Sequence, residues 1–160
     1  MRLLKHSRSL TSALLISIAC SFSPQLFAEA VEQTVRLSVT NPSDGSQCKV
    51  EAVFKGDHDN CGNDKAKGRA DCTKDTGCVC TRQEKHVNWK MQGDQPFNIV
   101  FDQGSANPFV NDGQSECNLK GNKKGQLRCR VKGKDVPKGE YRYSVHVLSC
   151  TPARSAIKIY

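Results

Sequence analysis

After its first thirty residues the 160-residue chain has no long hydrophobic run, and the run inside those thirty is too short to span a bilayer comfortably. No long segment has helical periodicity, which argues against a helical bundle. The sequence also lacks C-x-x-C pairs, G-x-S-x-G, H-E-x-x-H and a phosphate-binding loop. These absences argue against a transmembrane segment, a thiolate zinc site and the enzyme classes that those motifs mark.

The first thirty residues have the layout of a secretory signal peptide. A basic start precedes the apolar run LLISIACSF, and the small residues AEA follow at 28–30. Cleavage is expected after Ala30, with Ala28 as the second choice. Cys20 raises the alternative of a lipoprotein signal, but Ser17 stands where such a signal wants an apolar residue. The sequence therefore predicts export, to the periplasm or to the external medium.

Cysteine is abundant in the predicted mature chain, residues 31–160. An even number of cysteines behind a secretory signal indicates disulfides formed in an oxidising compartment. The alternative, metal binding by thiolates, is disfavoured because no C-x-x-C pair occurs. The eight cysteines are Cys48, Cys61, Cys72, Cys78, Cys80, Cys117, Cys129 and Cys150. Cys78 and Cys80 share a strand face, so we expect them to have separate partners.

Alternating apolar residues predict short β-strands along most of the mature chain. The predicted strands are 35–40, 48–54, 78–81, 86–91, 95–102, a pair within 112–134, 141–150 and 156–160. Residues 55–77 are charged, poor in apolar side chains and contain Cys61 and Cys72, which predicts a Cys-containing polar insertion. The pattern predicts one all-β domain over 31–160, a sandwich or a barrel.

The segment 112–134 can be arranged as a hairpin with its turn centred on Lys123. Cys117 then faces Cys129 at a separation that a disulfide can bridge. The same register brings together one apolar pair and two pairs of opposite charge: Leu119 with Leu127, Glu116 with Arg130 and Asp112 with Lys134. We therefore predict a Cys117–Cys129 disulfide, worth about 3 kcal/mol in the chain-entropy model. The sequence leaves the other pairings open.

Basic residues alternate along 128–134 and form a cationic strand. They are Arg128, Arg130, Lys132 and Lys134. Together with the insertion at 55–77, they are the candidate contacts for a protein or an anionic partner. No row of exposed aromatic residues accompanies them, which disfavours nucleic acid. The alternative interpretation is a solvated edge strand that resists aggregation.

Two motifs resemble strands of the cupredoxins. They are NWKMQGDQPFNIVFD at 88–102 and GEYRYSV at 139–145, and a short apolar strand ends the chain. The chain resembles a plastocyanin-like cupredoxin domain well over 79–160, loosely over 34–54 and not over 55–77. The resemblance implies a cupredoxin-like antiparallel β-sandwich, here stabilised by disulfides.

The resemblance also shows where copper ligands would lie. A blue-copper site uses two imidazoles, a thiolate and a weak axial thioether. These positions fall, in this chain, on Phe97, on Val145, near Leu148 and near Ala153. Because all four are apolar, we expect a packed end of the core there and no blue-copper site.

The other candidate ligands of the mature chain are three histidines and one methionine. They are His58, His86, His146 and Met91. Isolated histidines are more often structural, and no spacing brings His86 and His146 together as an acid–base pair. We expect no metal, no cofactor and no catalytic site. The expected function is that of an exported monomer that acts as a binding or accessory protein through its surface. The alternatives are a copper-handling or electron-transfer protein with a rearranged metal site, and a secreted cationic hydrolase.

Overall fold

Nine β-strands make up the secondary structure of the described residues. The structure, a computed structural model, describes residues 32–54 and 75–160. Its strands are β1 (Glu32–Thr40), β2 (Lys49–Phe54), β3 (Val79–Thr81), β4 (His86–Met91), β5 (Asn98–Phe101), β6 (Phe109–Val110), β7 (Gln126–Val131), β8 (Gly139–His146) and β9 (Ala153–Ile159). The predicted signal peptide and nearly all of the predicted insertion lie outside the described residues. No helix in the described part of the chain is long and apolar enough to cross a membrane.

The strands form two sheets that pack as a sandwich. Sheet A has the order β2-β1-β4-β7-β6, and sheet B has the order β3-β9-β8-β5. This arrangement is a disulfide-stabilised all-β sandwich, the architecture that the resemblance implies. Its sheets are mixed, however, because β1 pairs with β4 and β3 with β9 in parallel. The chain passes from β2 in sheet A to β3 in sheet B before β4 returns beside β1, so β1 and β4 run in the same direction.

Aromatic side chains from both sheets meet in the core. Trp89 of sheet A and Tyr143 of sheet B are almost fully buried. The Trp89 Nε1–H group donates a hydrogen bond of 3.2 Å to the Tyr143 hydroxyl. The Trp89 ring also contacts the rings of Phe109 and Tyr143 edge-on, with centroid separations of 5.5 and 5.9 Å. Burial raises the pKa of Tyr143 to about 12. The two sheets are thus joined by one continuous apolar core.

The predicted hairpin register over 112–134 is wrong, although its disulfide is present. Cys117 and Cys129 are joined, but the strand that pairs with β7 is β6, with Phe109 opposite Val131. The chain turns back at 111–115, where the Asn111 amide donates to the Ser115 carbonyl. This turn prevents 112–122 from running along β7.

Both predicted charge pairs of that hairpin are replaced. Asp112 contacts Arg128 at 2.7 Å and not Lys134. Glu116 accepts a hydrogen bond of 3.2 Å from the Asn107 side chain and does not pair with Arg130.

A second disulfide joins two distant parts of the chain. Cys48, just before β2, is bonded to Cys150, which lies between β8 and β9. Cys78 and Cys80 are disulfide-bonded as well. Cys61 and Cys72 lie outside the described residues.

Candidate functional site

Phe97 and Val145 lie in the core at the position that the resemblance gives to two copper ligands. Phe97 is 2% exposed and Val145 is fully buried. Val145 on β8 is the register partner of Ile99 on β5, so both side chains face the interior of the sandwich. The Phe97 ring packs against Gly121 so closely that a Cβ atom on that glycine would collide with it. The ring fills space that a metal site would need.

The other two positions that the resemblance gives to copper ligands, Leu148 and Ala153, differ in burial. Ala153, at the start of β9, packs against the core. Leu148, in contrast, is 90% exposed, so the prediction that all four positions form a packed apolar cluster is wrong at this residue. The chain turns sharply between Val147 and Cys150, whose amide donates to the Val147 carbonyl at 3.1 Å. The turn carries the Leu148 side chain away from the core.

This turn is fastened to the start of β2. Besides the Cys48–Cys150 disulfide, the Thr151 amide donates to the Cys48 carbonyl at 2.8 Å. The Gln47 side chain donates to the Ser149 carbonyl, also at 2.8 Å. Cys150 is therefore oxidised and tied to another strand, and it is not a thiolate that could bind copper.

His86 and His146 lie on the outer faces of different sheets. On β4, the core-facing positions are Val87 and Trp89, so His86 faces outward. On β8, Val145 faces the core and His146 faces outward from the other sheet. Packed sheets are about 10 Å apart, and the side chains of the core lie between these two histidines. The structure does not bring them together.

Each histidine has a local partner. The His86 Nε2 atom lies 2.8 Å from Asp112 Oδ1, and this hydrogen bond is the main reason why the pKa of Asp112 is lowered. The His86 Nδ1 atom is buried and has no hydrogen-bond partner among the described residues. The His146 Nε2 atom lies 2.8 Å from the Ser144 hydroxyl.

Met91 lines the core, and His58 lies outside the described residues. Within 32–54 and 75–160, no three histidine, cysteine, aspartate or glutamate side chains are gathered as a metal site would require.

Internal contacts occupy much of the cationic strand. Arg128 contacts Asp112 at 2.7 Å and Glu32 at 3.5 Å. Lys132 donates to the Asn107 carbonyl at 2.6 Å, and Arg130 is half-buried. Of the four candidate contacts, only Lys134 is exposed and has no such contact within the described residues. Among the described residues, carboxylates therefore compensate the positive charge of only Arg128, one of the four.

The outer face of sheet A carries a groove that the sequence pattern does not predict. The groove has a volume of about 590 Å³ and is lined by Arg36, Ser38, Glu51, Lys90 and Gln92, among others. Arg36 is the register partner of Lys90 across the parallel β1–β4 pair. Only that pairing brings the two cations together, and the sequence offers no local signal for a parallel pair of strands so far apart.

No family model matches the chain, and the search of curated proteins found no match. Solved structures similar to it include the multicopper oxidase from Campylobacter jejuni, at 10% identity over 81% of this chain and 25% of that one, with a TM-score of 0.42. A Cu(I) amicyanin variant is 19% identical over 52% of this chain and 69% of that one, with a TM-score of 0.30. A laccase from Pediococcus acidilactici is 11% identical over 82% of this chain and 27% of that one, with a TM-score of 0.35. This chain therefore spans about a quarter of the length of the two oxidases.

Proposed function

We propose that the mature chain is an exported, non-catalytic domain that acts as a binding or accessory protein through its surface, without a blue-copper site. The main support is the burial of Phe97 and Val145, two apolar side chains that cannot coordinate copper, at positions that the resemblance gives to ligands. The oxidation of Cys150 removes the nearest thiolate as a substitute. Because apolar side chains fill positions where copper ligands would lie, we expect the protein to act through its surface.

A secreted hydrolase that uses the two histidines is the less favoured alternative. A general acid and a general base must both reach one substrate at hydrogen-bond distance. His86 and His146 lie on the outer faces of opposite sheets, so they cannot serve one reaction in one molecule.

Copper analysis separates the proposed function from the copper-handling alternative. The purified mature protein is incubated with Cu(II), passed through a desalting column and analysed for metal and for absorption. We expect no stoichiometric copper and no intense thiolate-to-copper band. Tightly held stoichiometric copper would overturn the proposal. In that case His86→Asn and His146→Asn variants would show which histidine binds it.

Two surface variants test which part of the surface binds a partner. The first replaces Lys134 with Gln. The second replaces the charged residues between Cys61 and Cys72 with Ser and keeps both cysteines. The control is Lys124→Gln, at an exposed lysine in the turn before β7. A partner retained by immobilised wild type and by the control, but lost with one variant, identifies the contact surface. Partners retained equally by all four proteins would remove both surfaces from the proposal.

A further inference from the structure

Two cations lie side by side on the outer face of sheet A. Arg36 on β1 and Lys90 on β4 are register partners on neighbouring strands, and both are exposed. Like charges at directly opposite positions of a sheet destabilise it. Neither side chain has an ion-pair partner within the described part of the chain. Over those residues the fold therefore maintains an uncompensated pair of positive charges at this point.

Neighbouring donors extend this site along the groove. The Gln92 backbone N–H group donates a hydrogen bond of 2.7 Å to the Leu37 carbonyl. This bond holds Gln92 beside β1, just after β4 ends. Ser38 and Gln92 both line the groove with Arg36 and Lys90. The Ser38 hydroxyl and the Gln92 side-chain amide have no hydrogen-bond partner among the described residues. Four side chains with hydrogen-bond donors thus face one concave surface.

Arg128, another cation on the same face, has acidic partners. Arg128 on β7 is held by two carboxylates, those of Asp112 and Glu32. Glu32 also accepts a hydrogen bond of 2.8 Å from Asn88. Arg128 is thus paired with acids, whereas the register partners Arg36 and Lys90 are not.

Glu51 adds a negative charge to the groove on the β2 side, whereas the two positive charges lie on β1 and β4. It lies on β2 opposite Ser38 and lines the same groove. Because β1 separates β2 from β4, and Glu51 is offset from Lys90 by two residues along the strands, the backbones at these two residues lie about 12 Å apart. A polyanion would bring negative charge against Glu51, whereas a ligand with a cationic far end would be attracted at both ends.

We propose that this groove binds a small elongated zwitterion, with an oxyanion group against Arg36 and Lys90 and an amino group against Glu51. A volume of about 590 Å³ is within the range of small-molecule sites, about 300–1,000 Å³. The groove is open to solvent, so each charge contact contributes modestly. The proposal goes beyond the proposed function, because it assigns a site and a ligand chemistry that general surface binding does not require.

Three matched probes test the polarity. They are 6-aminohexanoate, hexanoate, which lacks the amino group, and adipate, which carries a second carboxylate in its place. Each is titrated into the mature protein and followed by amide NMR shifts and by calorimetry. We expect saturable shifts at residues 36–38, 51–53 and 90–92, with affinity decreasing in the order aminohexanoate, hexanoate, adipate. Tightest binding of adipate would overturn the zwitterion assignment, and the absence of saturable shifts with all three probes would overturn the site.

Substitutions test which residues of the groove bind each end of the ligand. Arg36→Gln and Lys90→Gln should each weaken binding of 6-aminohexanoate about fivefold. Glu51→Gln should abolish its advantage over hexanoate. Lys138→Gln, at an exposed lysine outside the groove, is the matched control and should leave all affinities unchanged. Equal weakening by Lys90→Gln and Lys138→Gln would show only general charge attraction and overturn the site. Failure here leaves the copper and surface-variant tests unaffected.

Discussion

At the scale of single residues, Phe97 has the largest consequence for function. Its ring is buried against Gly121, and the backbone of the same two residues is joined by a hydrogen bond of 2.9 Å from the Gly121 amide to the Phe97 carbonyl. A side chain at either position is therefore constrained by the other. Phe97 and the fully buried Val145 belong to the same core cluster, so apolar side chains fill the positions of two of the ligands that a blue-copper site needs.

Gly121→Ala should reveal this close contact. The added methyl group would collide with the Phe97 ring, and overpacking of a core costs about 1–3 kcal/mol. We expect the free energy of unfolding, measured by urea titration, to fall by that amount. Gly133→Ala is the control, because its Cβ atom would meet nothing closer than a Glu84 side-chain oxygen at 3.4 Å. Equal stability of the two variants would contradict the packing described for Phe97.

Asp75 is a carboxyl group whose protonation should affect stability. Desolvation by burial is the main cause of its raised pKa, and it outweighs the hydrogen bonds from the Ser155 hydroxyl and the Gly77 amide. The folded state thus binds the Asp75 proton more tightly than the unfolded state, whose pKa stays near 3.8. This contribution to stability is fully present below 3.8 and is lost as the pH rises through the folded pKa.

Asp75→Asn should remove that dependence on pH. The asparagine carbonyl can still accept both hydrogen bonds, and it carries no charge to desolvate. We expect the variant to gain stability relative to wild type as the pH rises from about 4 to about 7, as measured by urea unfolding at a series of pH values. A difference between variant and wild type that stays constant with pH would show that Asp75 does not titrate in this way.

At the scale of elements, the turn between β8 and β9 depends on its attachment to β2. The Cys48–Cys150 disulfide spans 102 residues of sequence, whereas Cys117–Cys129 spans 12. In the chain-entropy model a longer closed loop gives more stabilisation, about 4.7 kcal/mol for about 100 residues against about 3 for about 15. The two bridges should therefore differ in their effect.

Paired Cys→Ala variants test this difference. Replacing Cys48 and Cys150 should lower the free energy of unfolding by about 1–2 kcal/mol more than replacing Cys117 and Cys129. It should also speed amide hydrogen exchange at 147–151, since the turn loses its covalent attachment. If the Cys117–Cys129 variant were the less stable one, loop length would not be the deciding factor.

The sequence predicts elements well where one face is regularly apolar. In β8 the alternation of Tyr143 and Val145 with polar residues matches the burial in the structure. In β4 Val87 and Trp89 are buried as the alternation predicts, but the polar Asn88 between them is buried too. The alternation fails over 112–122, because local side-chain and backbone hydrogen bonds around Asn107 and Asn111 decide the turn, and a periodic pattern does not encode them.

Prediction of the candidate sites from sequence is limited in the same way. The resemblance places Phe97 and Val145 correctly in the core because they lie inside or next to strands. It misses the exposure of Leu148, since the length and shape of the turn decide where that side chain points. It also misses the groove, because Arg36 and Lys90 become neighbours only when β1 and β4 pair in parallel.

At the scale of the whole molecule, we expect a single cooperative unfolding transition, because the two sheets share one core. Trp89 is the only tryptophan of the chain, and its hydrogen bond to Tyr143 links sheet A to sheet B. Loss of either sheet would expose it. We expect urea unfolding curves from Trp89 fluorescence and from far-ultraviolet circular dichroism to coincide. Separate midpoints would mean that the sheets unfold independently, and would contradict the prediction of one domain over 31–160.

The edges of the two sheets limit how another protein can bind. At one edge of sheet B, the Ile99 amide donates to the Leu119 carbonyl at 2.8 Å, so another segment of the same chain already covers the start of β5. At one edge of sheet A, β2 is bonded to Thr76 and Thr151. The remaining edge strands, β3 and β6, contain three and two residues. Short or covered edges deny an incoming strand the free backbone groups that it needs. Among the described strands, these edges therefore favour recognition of a partner by side chains on a face or in a turn. They also disfavour amyloid-like stacking of copies through their backbones.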